Sequence, residues 1–265
     1  MDRRLVLARR AALAVAVLLA IGIVLSLVAS WTSYWRVADG LSSDVVAPNQ
    51  RFVRVIVGET ETCVTLQTVS SGATHETCYT TFISRRRRKS TITSVVTNET
   101  VTLDGICSDQ QDLPTVARNL GIPDRLPMAK LWDHQCHGTH WVTVFAQLIA
   151  ATAAAIMAAE MVYFFHTGAA RAFTAMHPLV QLLVPSIPFI LLALVLVLWG
   201  VVVQEPGLQT GSSFSMALVS EFLFFLAFTA FAMRTVLLRR LDTASASSSS
   251  SLAFAKKAAY GSDSE

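Results

Sequence analysis

Three groups of residues in this sequence have types and spacings that could do chemistry. The stretch "DHQCHGTH" gathers His134, Cys136, His137 and His140, and imidazole and thiolate are the side chains that hold zinc. His137 and His140 share a face if the segment is helical, but an oxidised Cys136 has no thiolate to offer. The reading adopted is therefore a disulfide segment beside a membrane, with no metal assigned. Glu160 and Glu221 lie inside apolar runs, where a carboxylate is a functional candidate. They sit ~7 and ~10 Å from opposite faces of a bilayer, so they cannot form a close acid pair. Each is expected to face other helices and bond to a polar neighbour there. The third group is the run Arg85, Arg86, Arg87, Arg88 and Lys89. It suits anionic surface ligands or a basic-specific protease, and its plainer reading is a solvated hairpin tip. There is no Gly-rich phosphate loop, no Gly-x-Ser-x-Gly elbow and no metalloprotease helix. The expectation is a non-enzyme with no cofactor.

The elements that position these residues follow from composition. Hydrophobic residues make up 53% of the 265 and charged residues 15%, against about a quarter charged in soluble chains. Mean hydropathy is +0.51. A formal charge of +3, without a basic stripe carrying interleaved aromatics, excludes nucleic acid as a partner. Four apolar blocks reach the ~20 residues that a helix needs to cross a bilayer. They are 11–30, 142–165, 179–203 and 214–238. Only helices satisfy the backbone in lipid, and Pro185 and Pro188 enter the third block near its start. Arginines crowd residues 1–10, one stands in the 166–178 turn, and more follow the fourth block, whereas 204–213 has no basic residue. Positive residues stay cytoplasmic, so both termini are expected inside and segments 31–141 and 204–213 outside. The first block, ending Val28-Ala29-Ser30, has a second reading as a cleaved signal peptide. Its length favours a retained anchor.

The long segment 31–141 holds Cys63, Cys78, Cys107 and Cys136, all the cysteines of the chain. An even set on the oxidising side reads as disulfides with three possible connectivities, and sequence neighbours suggest Cys63–Cys78 and Cys107–Cys136. The sequon at Asn98 lies in the same segment and marks a glycosylation site if it is translocated. Runs at 53–57, 63–69, 78–83 and 91–103 are rich in Val, Ile and Thr, and turn residues punctuate them. They predict a small antiparallel sheet, with one or two helical turns at 112–120. The fold class expected is a membrane protein: a four-helix bundle bearing a disulfide-stapled sheet ectodomain. Residues 239–265 include a serine run and are expected to be a disordered cytoplasmic tail.

In the second block Ala146, Ala150, Ala154 and Ala158 recur every four residues, a stripe that lets another helix approach closely. Its partner is either the first block, through Gly22 and Ser26, or a second copy or another membrane protein.

The residues Cys63, Val64, Thr65 and Leu66, with Thr77 before Cys78, resemble the signature of the amastin family of kinetoplastid surface glycoproteins. That family lies within the broader claudin-like group of four-span proteins. Gln67 and Thr68 stand where the family has an aromatic residue and a glycine. The resemblance implies a plasma-membrane glycoprotein engaged in surface contact, adhesion or membrane organisation, with the lipid bilayer as its first partner. A transporter or channel subunit using Glu160 or Glu221, or an accessory subunit of a larger complex, is the alternative.

Overall fold

A computed structural model describes residues 3–32, 34–81, 90–93, 100–103, 105–107, 112–167 and 178–260. In chain order the elements are α1 (Arg3–Trp31), β1 (Arg36–Asp39), β2 (Val45–Ala47), β3 (Gln50–Val57), β4 (Glu61–Thr68), β5 (Thr74–Thr80), β6 (Ser90–Thr93) and β7 (Thr100–Leu103). Then come α2 (Leu113–Asn119), α3 (Met128–His134), α4 (His140–Thr167), α5 (Pro178–Val197), β8 (Gln209–Thr210) and α6 (Ser212–Tyr260).

Four helical stretches are long and apolar enough to cross a membrane: Val6–Trp31, Met128–Thr167, Leu183–Val201 and Ser212–Val236. Each is apolar on its outer face as well as its inner one, the pattern of a helix that meets lipid outside and protein inside. On α1, Ala12, Val15, Ala16, Leu19, Ser26 and Ala29 are buried, while Leu13, Val17, Ile21, Val24 and Val28 are exposed. The helices close a ring in which α1 touches α4 and α6, and α5 touches the same two. Pro185 and Pro188 lie inside α5, which continues through them. Ser186 Oγ donates to the Leu183 carbonyl at 2.7 Å, giving that stretch an extra donor where proline removes backbone N–H groups. Wide helical turns occupy Gln135–Thr139 and Leu198–Val202. At the first, Gly138 adopts φ +123°, which a side chain would resist, and the chain kinks between α3 and α4.

The segment between α1 and α4 forms a small head. Its antiparallel sheet runs β5-β4-β3-β1-β8, with β2 also on β3. The last strand comes from the short connection between α5 and α6, and Val37 pairs with Gln209. Phe52, Val55, Val57 and Val64 of the sheet join Val116 of α2, Leu120 just after it, and Leu131 and Trp132 of α3 in the buried core. Two expected strands differ. The third is Thr74–Thr80 rather than 78–83, because in-register pairing with β4 sets Cys78 opposite Cys63 near its end. The run 91–103 is two strands, paired Ser90↔Leu103 to Thr93↔Thr100. The Thr-rich run thus supplies its own antiparallel partner.

The serine-rich segment also departs from expectation. α6 is 49 residues long and runs to Tyr260, where a disordered tail is expected from 239 onward. Extending an established helix adds one hydrogen bond for each residue fixed, without a new nucleation cost, and the Ala, Leu and Lys residues around the serines favour helix.

Candidate functional site

Among the sequence-predicted residues, the cysteines form Cys63–Cys78 and Cys107–Cys136, with Cα separations of 3.9 and 5.3 Å. The first bridges directly opposed positions of β4 and β5. The second ties the segment after β7 to the wide turn that leads into α4. Val64 is buried, and Thr77 is its partner across the ladder. Asn98 and the run Arg85–Lys89 lie outside the described residues.

The zinc-type cluster is taken apart by the backbone. Cys136 is disulfide-bonded. The kink at His137 and Gly138 removes the continuous helical face that His137 and His140 would share. His137 Nδ1 sits 3.0 Å from the Asp133 carboxylate. Glu61, Cys63 and Cys78 also come together, but both sulfurs are in the disulfide and neither is a thiolate ligand.

The two intramembrane acids behave differently. Glu160 of α4 lies close enough to Arg234 of α6 to interact electrostatically, and that guanidinium also rests 3.9 Å over the Phe164 ring. Glu221 does not gain the polar neighbour expected of it at every atom, since its Oε2 is buried without a hydrogen bond among the described residues. Ala146, Ala150 and Ala154 are buried, and Ala158 packs beside the core, within this single chain. Gly22 does not face that stripe. It faces α6, where Ser220 Oγ donates to its carbonyl at 2.7 Å and a Cβ would meet the Phe224 ring at 2.6 Å.

The densest concentration of buried polar groups is the seam where the sheet meets the helices. On α4, His140, Thr143 and Gln147 are all buried and fall at the three- and four-residue steps of one helical face. Trp199 Nε1 donates to Thr143 Oγ1 at 3.1 Å, and the Trp199 carbonyl accepts from the Arg36 guanidinium. Arg36 is only 2% exposed, and burial lowers its pKa from the usual value. Arginine remains cationic all the same. Trp35 lies 4.9 Å from Trp199 between ring centres and donates its Nε1 to Ala29 of α1 at 2.8 Å. Gln135 Nε2 donates to the Gly58 carbonyl at 2.9 Å, and Trp132 Nε1 to Thr62 Oγ1 at 3.2 Å. Between Gly58 and Thr62, in the turn joining β3 to β4, Glu59 points inward and is 1% exposed. Burial raises its pKa well above the usual carboxylate range, and the facing Gln147 amide offsets only part of this.

A second polar contact ties two connecting segments of the head together. Arg125, after α2, forms an ion pair with Asp44 between β1 and β2, its Nε reaching both carboxylate oxygens at 3.1 and 3.2 Å. The hydrogen bond from Arg125 is the main force holding the Asp44 carboxyl below its usual range. An open cleft of about 380 Å3 adjoins it, lined by Ser43, Val46, Arg118, Ile122 and Asp124.

Sequence patterns do not single out Glu59, Arg36 or the Asp44–Arg125 pair. Glu59 reads as a hairpin turn residue, and its burial depends on where α4 lies in space. The legible signal is the polar stripe His140, Thr143, Gln147 on an apolar helix, which marks a face turned to protein rather than lipid. No family model matches the chain, nor does any curated protein or solved structure. Chemically, the seam is suited to joining two parts of the molecule.

Proposed function

We propose that this is a non-enzymatic, multi-pass surface glycoprotein of the amastin-like, claudin-like kind, acting in surface contact, adhesion or membrane organisation at the plasma membrane. Both termini are cytoplasmic in this reading, and the head faces outward with a glycan at Asn98. The observation that supports it best is that β8, from the second connection, completes the sheet of the first. The two connections on one side of the bundle therefore build one rigid unit, and all four cysteines lie on that side, oxidised. Disulfides persist in oxidising compartments, and a rigid scaffold that holds loops away from a membrane suits contact with other surfaces.

The test uses vesicles bearing the full-length protein and their attachment to heparin-like or acidic-lipid surfaces. Attachment should weaken as salt rises, because the Debye length falls from ~10 Å at 0.1 M to ~3 Å at 1 M. It should be lost when Arg85–Lys89 are replaced by Ser. Salt-insensitive attachment in both forms would remove the anionic ligand from the proposal. Ion flux in liposomes abolished by Glu221→Gln would replace the whole reading with a transport one.

A further inference from the structure

We propose that Glu59 and Gln147 form a proton-binding site that locks the head onto α4, so that gaining one proton closes the joint and losing it loosens the joint. This goes beyond the surface role above and holds whichever side of a membrane the head faces.

Glu59 is 1% exposed and Gln147 2%. The carboxyl and the carboxamide face one another, yet both Glu59 oxygens and both Gln147 amide atoms lack a well-formed hydrogen bond among the described residues. Buried polar atoms whose hydrogen bonds are incompletely formed are a costly arrangement that native proteins rarely keep without a reason. One proton resolves it. A neutral carboxyl donates its O–H to Gln147 Oε1 and accepts from Gln147 Nε2, which is a reciprocal pair. An ionised Glu59 can only accept, and it leaves Gln147 Oε1 facing a buried negative charge.

Among the described residues, no other charge nearby neutralises Glu59. From α4, His140 engages the Glu59 backbone rather than its carboxyl. From β1, Arg36 turns its guanidinium to the Trp199 carbonyl. Asp133 of α3 pairs with His137 on the exposed surface. Glu61, at the start of β4, is partly exposed. A hard metal cation in place of the proton would want six or more oxygens, whereas the Gln135 and Gln147 carboxamides and one carboxyl supply far fewer. Glu59 is held above its usual range by burial, so the joined state binds the proton more tightly than the separated state, whose carboxyl titrates at about 4.3. The joint is therefore strongest at acid pH. Above about pH 4.3 it weakens up to tenfold in its equilibrium constant per pH unit, until the pH passes the joined-state value.

The experiment is chemical unfolding of the full-length protein in ester-free detergent, followed by tryptophan fluorescence between pH 5 and 9, for wild type and Glu59→Gln. The wild type should lose stability relative to Glu59→Gln as pH rises, by up to tenfold per unit. Equal pH slopes in the two proteins would overturn the proposal. Should Glu59→Gln fail to fold, infrared spectra of Glu221→Gln protein, recorded from pH 5 upward, decide the matter. A protonated-carboxyl band that shifts in Gln147→Leu supports the site, and its absence refutes it.

Discussion

At the scale of single residues, two carboxyls of the head are shifted in opposite directions from their usual range. Asp44 is held below its usual range, first by the hydrogen bond from Arg125. Its contribution to stability is complete above the unfolded value of about 3.9 and is lost as pH falls through the folded one. Glu59 is raised by burial, so its effect is absent at low pH and grows more unfavourable as pH rises. The head should accordingly be most stable in mildly acid solution. Asp44→Asn should erase the loss of stability below about pH 4, as read by near-ultraviolet circular dichroism from pH 2 to 6. Arg125→Ala should lower stability at pH 7 by about 1–3 kcal/mol, between the values for exposed and buried pairs, because Asp44 is largely buried while Arg125 is partly solvated.

At the scale of elements, helix packing shows where sequence periodicity stops being informative. The four-residue alanine spacing falls on a face of α4 where Ala146, Ala150 and Ala154 are buried. Periodicity says which face is small, not which helix arrives there, and Gly22 belongs to the α1–α6 contact instead. Gly22→Val should cost about 1–3 kcal/mol by displacing the Phe224 ring. Ser220→Ala should cost about 0.6 kcal/mol, the usual value of a hydrogen bond between helices in a membrane. Both are measurable by unfolding in micelles. The longer strands are legible as Val- and Thr-rich runs, but β1, β2 and β8 are not, being two to four residues long. Short strands carry too little alternation to read, and the pairing of β8 with β1 is set by the bundle that brings them together. The disulfides separate by the same logic. Loop closure assigns about 3 kcal/mol to Cys63–Cys78 and about 3.6 to Cys107–Cys136 from their separations of 15 and 29 residues. The first reinforces strands already paired over seven positions, so replacing both Cys107 and Cys136 by Ser should lower the thermal midpoint further than the same change at Cys63 and Cys78.

At the scale of the whole molecule, the four spans are the most legible feature, because an unbroken run of ~20 apolar residues matches the thickness of a bilayer and far exceeds what one buried core helix requires. The polar seam is the least legible, because it depends on contacts between residues far apart in the chain. If both termini are cytoplasmic, protease added to sealed cells should cut only within 31–141 or 204–213, and loss of a C-terminal epitope from intact cells would reverse the orientation. The continuation of α6 to Tyr260 carries it roughly 35 Å past Val236. The pairing of Val37 with Gln209, roughly 170 residues apart, also fixes a sequence of events during synthesis. The side of β1 that takes β8 has no partner until three of the four long apolar helical stretches have been made and the ribosome has passed the third. Through that interval a bare strand edge waits on the head, where another chain could occupy it first. Slow elongation between α5 and α6 would lengthen the wait, so codon choice there should affect yield more than the same change placed after α6.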